Sequence, residues 1–90
     1  MVYYYLIKHT NELREYEYYP ENKKDRKSGV ITIDVVAEKI SVTVPAEDDF
    51  ESYAEEFNER WWYYGNHAER RICDDYNNGV VKEWSMASWY

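Results

Sequence analysis

The run from Asp48 to Tyr76, DDFESYAEEFNERWWYYGNHAERRICDDY, carries apolar side chains at Phe50, Tyr53, Ala54, Phe57, Trp61, Tyr64, Ala68, Ile72 and Tyr76. Intervals of three and four gather them on one side of a helix that turns about 100° per residue, and leave Asp48, Glu51, Glu55 and Glu59 away from it. Such a stripe must be laid on something, and no other run in the chain is long enough to cover a sheet. The spacing therefore predicts a helix over 48–76 as the lid of the core. Asp48 stands as its N-cap, with Glu51 three residues on completing a capping box, and the acids of the first turns face the positive end of the helix dipole.

Gly65 divides this reading. A single helix over 48–77 would be about 45 Å long, against about 23 Å for strands of seven residues. Gly65-Asn66 with Glu69 three residues on could end one helix and cap a second. The stripe keeps its phase from Tyr64 to Ala68, and Gly65 falls on the buried side, where a missing side chain lets a strand approach. A helix kinked at Gly65 is the reading adopted, and Asn77-Asn78-Gly79 stops it.

What the helix covers is read from period-2 alternation. Val2–Lys8 is rich in strand formers with both faces apolar, as a central strand requires. Tyr16 and Tyr18 then alternate with Glu15 and Glu17 until Pro20 removes a ladder donor, which makes a first hairpin. Residues 21–29 have no apolar side chain and form a solvated loop holding the basic cluster Lys23, Lys24, Arg26 and Lys27. Ile31, Ile33 and Val35 alternate with Thr32 and Asp34, and Ile40, Val42 and Val44 with Ser41 and Thr43, which makes a second hairpin closed by Pro45. Trp84, Met86 and Ser88 alternate against Ser85, Ala87 and Trp89, so the C-terminal segment is expected as a further strand. The fold class is α+β: a four-stranded antiparallel sheet of two hairpins, one long or kinked helix on one face, and a C-terminal strand-like segment. All of it forms a single domain, 1–90.

Charge and cysteine count narrow the function classes. The net charge is −7, and residues 47–59 hold seven acids (Glu47, Asp48, Asp49, Glu51, Glu55, Glu56, Glu59) and no base until Arg60, so this segment carries the whole imbalance. A general nucleic-acid binder shows the opposite excess, so nucleic acid is not the expected partner. Cys73 is the single cysteine and cannot form an internal disulfide. The first residues lack a basic region and cleavage site, and no apolar run reaches the roughly 20 residues of a membrane span. These features lead us to expect a cytoplasmic protein without a membrane partner.

The helix carrying Tyr64, His67-Ala68, Ile72 and Tyr76, followed by Gly79, a short spacer and an end at Met86, Trp89 and Tyr90, resembles short uncharacterised bacterial proteins built on a domain of unknown function. The resemblance covers the last third of the chain and implies no activity.

Catalytic patterns are tested in turn. Cys73 and His67 stand six residues apart, about 240° round a helix, and point to different sides. CxxC, HxxxH and glycine-rich phosphate loops are absent, so no metal or other cofactor is expected. His67, Asp74, Tyr63 and Arg70 make the one polar cluster with mixed donors, and an exposed helix face held by pairs such as Arg70 with Asp74 accounts for it.

Eleven tyrosines and four tryptophans exceed what a core of this size needs. Surplus rings at a surface mark an interface. The expected function is a non-catalytic protein-interaction module that meets a protein partner or a second copy, with Tyr3, Tyr5, Tyr16, Tyr18, Trp62, Tyr63 and His67 as its surface. Two alternatives are carried. The acidic face of Asp48, Glu51, Glu55 and Glu59 could imitate a nucleic acid and inhibit a nucleic-acid-binding protein, or the rings could be a platform for a small ligand, sugar or base.

Overall fold

The computed structural model describes residues 1–54 and 59–89, with the side chains of residues 54, 59 and 60 left out. Strands β1 (Val2–His9), β2 (Leu13–Pro20), β3 (Gly29–Asp34), β4 (Lys39–Val44) and β7 (Trp84–Ala87) form one antiparallel sheet in the order β4-β3-β2-β1-β7. Strands β5 (Glu51–Ala54) and β6 (Glu59–Trp62) form a separate two-stranded ribbon, and α1 spans Tyr63–Asn77. The α+β class and both hairpins agree with the sequence reading. The sheet has five strands rather than four, because the C-terminal segment pairs with β1 from Tyr5↔Trp84 to Val2↔Ala87.

Strand alternation decides which rings are buried. Val2 and Tyr4 on β1, Tyr16 and Tyr18 on β2, and Ile31 and Ile33 on β3 point to one face and are buried there with Ala68 and Ile72 of α1. Leu6, Ile40, Val42, Tyr64 and Tyr76 pack around them. A bulge between Leu6 and Lys8 turns Ile7 out to 51% exposure and puts Lys8 opposite Glu15.

The predicted helix over 48–76 is corrected in its first half. Residues 51–54 and 59–62 are strands, and the helix begins at Tyr63. The capping box of Asp48 and Glu51 is therefore not made. The neighbouring acid does the capping: Asp49 accepts the amides of Tyr64 through Oδ1 and Gly65 through Oδ2, both at 2.9 Å, while the Tyr63 amide donates to the Phe50 carbonyl. The first orphan amides of α1 are thus satisfied by Asp49 and Phe50, thirteen to sixteen positions upstream. A helix that begins at Tyr63 also avoids the overhang that one long helix would have over strands of six to eight residues. Gly65 sits in the first turn of α1, neither kink nor break. It is buried, and a Cβ there would lie 2.8 Å from Tyr18 Oη and 2.9 Å from Val42 Cγ2, which is the strand approach its place on the stripe predicts.

Among the described residues, no helix is long and apolar enough to cross a membrane.

Candidate interaction surface

One face of the five-stranded sheet lies under α1, and no helix or strand among the described residues covers the other. Its side chains are those alternating with the core set. Met86 and Trp84 come from β7, Tyr3 and Tyr5 from β1, Tyr19, Glu17 and Glu15 from β2, and Thr32 and Thr43 from β3 and β4. Trp84, 58% exposed, stacks on Tyr3 with ring centres 6.3 Å apart, and Tyr5 meets Tyr19 edge to face at 5.9 Å. The result is two ring pairs on one face. At the Pro20 end, Tyr5 Oη donates to Asn22 Oδ1 at 2.8 Å and the Lys24 ammonium stands 4.0 Å over the Tyr5 ring. Toward the opposite end lie Glu17 and Glu15, the latter beside Lys8. On the far side Thr32 and Thr43 share a hydrogen bond of 3.0 Å.

Tyr3 and Tyr5 are thus where the sequence reading put them. Tyr16 and Tyr18 are not: at 4% and 0% exposure they belong to the core, because they share a strand face with Ile31 and Ile33 through the register Tyr16↔Ile31 and Tyr18↔Gly29. Burial raises the pKa of both hydroxyls and that of Tyr4, and for Tyr18 the bond to Asp49 adds to it.

Tyr63 and His67 lie elsewhere, in a ring cluster at the start of α1. The His67 imidazole stacks on Trp89 at 3.9 Å, lies 4.8 Å from Trp61 and receives Tyr63 edge on at 5.4 Å. Its Nδ1 donates to the Tyr63 carbonyl, a bond that requires the hydrogen on that nitrogen. Tyr63 stacks on Phe50 at 4.8 Å and its hydroxyl accepts from Trp89 Nε1 at 2.8 Å. These rings face one another, so the cluster pins the C-terminal segment to α1, while Phe50 stays 51% exposed. Trp62 is the N-cap residue of α1, half-buried, its amide donating to Asn66 Oδ1 at 2.6 Å.

Two grooves flank α1. One, of about 400 Å³, is lined by His67, Arg70, Arg71, Asp74 and residues 86–89, and it unites three members of the predicted polar cluster. The other, of about 260 Å³, lies against β4 and holds Cys73, whose Sγ accepts from Asn77 at 3.7 Å. His67 and Cys73 open into different grooves, as their angular separation requires.

The acidic face is not assembled as predicted. Asp48 is half-buried with Arg26 3.9 Å away, Glu51 is on β5 opposite Trp62, and Glu59 is on β6, so the helical repeat has no helix to carry it. Glu55 lies outside the described residues.

Comparison with protein-family models, with curated proteins and with solved structures found no match. The surface has to be read from its own chemistry. Trp84 and Tyr19 were missing from the sequence reading, yet the signal was present: Trp84 alternates with the inward Ser85, and Tyr19 with the inward Tyr18.

Proposed function

We propose that this protein is a non-catalytic interaction module that pairs with a second copy of itself through the open face of its sheet. The observation carrying this reading is Trp84, 58% exposed and stacked on the half-buried Tyr3, beside the half-buried pair Tyr5 and Tyr19, since exposed apolar surface marks interfaces. Strands of eight, eight, six, six and four residues at about 3.3 Å per residue and about 4.8 Å spacing give a face of roughly 500 Å², short of the ~800 Å² that each partner buries in a stable dimer and in keeping with a monomer–dimer equilibrium.

Sedimentation equilibrium across a wide concentration range tests this. The reading predicts a monomer–dimer equilibrium that Trp84→Glu abolishes. A strict monomer at high concentration removes it.

A further inference from the structure

The sheet has two edges, β7 beside the groove that contains residues 86–89 and β4 beside the groove that contains Cys73. Over Lys39–Val42 its register with β3 is regular, and the irregularity lies farther along, opposite Val30 and Ile31. The outward backbone groups of this stretch have no sheet partner among the described residues. Between this edge and the second half of α1 runs the 260 Å³ groove, walled by Ile33, Ile40, Cys73 and Tyr76 and bordered by Glu38 and Lys39. Val36 and Val44, 77% and 42% exposed, continue the apolar line at either end. An unpaired strand edge beside an apolar slot is the arrangement in which an extended peptide adds as an outer strand, its backbone giving affinity and its alternate side chains entering the slot.

Charge selects the occupant. Glu38 borders the groove, and the last turn of α1 beside it contains no basic residue to meet the negative pole of the helix. Of the bases nearby, Arg14 is turned onto the Tyr76 ring at 5.2 Å and Lys39 stands on the edge strand itself. We propose that the β4 edge and its groove dock an extended segment of a protein partner, antiparallel to β4, with β-branched apolar residues facing Ile40 and Val42 and a Lys or Arg facing Glu38. This surface is separate from the open face and its docking does not rest on dimer formation.

The probe is the peptide Ac-Thr-Val-Thr-Val-Thr-Lys-NH2, which in that register sets its valines beside Ile40 and Val42 and its lysine beside Glu38. Cys73, the single thiol, reports groove occupancy through its alkylation by iodoacetamide, and amide exchange reports the edge. At a peptide concentration about four times its Kd, alkylation is expected to slow about fivefold, with exchange slowed within Lys39–Val42. The same peptide ending in glutamate is expected to bind at least about tenfold more weakly, and Glu38→Lys to reverse that order. Unchanged Cys73 alkylation at millimolar peptide, protection without slowed β4 exchange, or equal binding of the two peptides would each overturn the proposal.

Discussion

Tyr18 donates its phenolic hydrogen to Asp49 Oδ2 across 2.7 Å, and the same carboxylate receives the amides of Tyr64 and Gly65. The Tyr18 oxygen in turn accepts from the Ala46 amide at 3.0 Å. A fully buried sheet residue is thereby tied through one acid to the start of the helix, and the helix position follows from that tie.

Removing either partner should loosen the helix start. Asp49→Asn loses the charge that the helix dipole and amides stabilise, and Tyr18→Phe leaves the carboxylate short of a donor. Each is expected to destabilise the fold by about 2–3 kcal/mol, with a coupling of about 1–3 kcal/mol in the double mutant. Urea denaturation of the four proteins measures it, and strict additivity would contradict the tie.

Two glycines make room for the Tyr18 ring. A Cβ at Gly29 would meet Tyr18 Cε1 at 2.2 Å and the Ala46 amide nitrogen at 2.6 Å, while one at Gly65 would meet side-chain atoms at 2.8 and 2.9 Å. Backbone yields less than a side chain, so Gly29→Ala should cost more than Gly65→Ala. Both should lie within about 1–4 kcal/mol, and thermal melts rank them.

Alkaline pH should unfold the protein. The folded state holds Tyr4, Tyr16 and Tyr18 protonated by burying them, so their pKa values lie above those of the unfolded chain. Above about pH 10 the unfolded chain binds fewer protons than the folded one, so stability that is complete below that pH falls as pH rises, by about 1.4 kcal/mol per unit for each such tyrosine. Denaturant midpoints from pH 8 to 11 should fall, and less steeply in Tyr18→Phe. A flat profile would show that these hydroxyls ionise freely in the folded state.

Trp89 should hold the end of the chain. It stacks on His67 and donates to Tyr63, so Trp89→Ala should cost about 2–4 kcal/mol and raise amide exchange in Trp84–Ala87 more than in β3. Equal exchange increases in both strands would show that the segment is held by β1 alone.

The hairpins, the C-terminal strand and the core stripe Tyr64, Ala68, Ile72, Tyr76 were legible because alternation and four-residue spacing are local signals. Residues 51–62 were not. Their rings also fall at helical intervals, and the competing fact is tertiary: Asp49 is needed at the first turn of a helix beginning at Tyr63, which no spacing announces. Tyr16 and Tyr18 were misplaced for a different reason. Their alternation with Glu15 and Glu17 marks them as inward, and only a surplus of rings argued otherwise. Of the surface, Tyr3 and Tyr5 were named and Trp84 was not, although its alternation with Ser85 was legible; its place beside them follows from the pairing of β7 with β1.

Hydroxyl-radical footprinting at low and high protein concentration tests the pairing of open faces most directly. Trp84, Tyr3 and Met86 should lose reactivity as concentration rises, while Phe50 and Tyr53, 51% and 56% exposed on other parts of the molecule, keep theirs. Equal reactivity of Trp84 at both concentrations, or protection of Phe50 and Tyr53 in its place, would contradict the account.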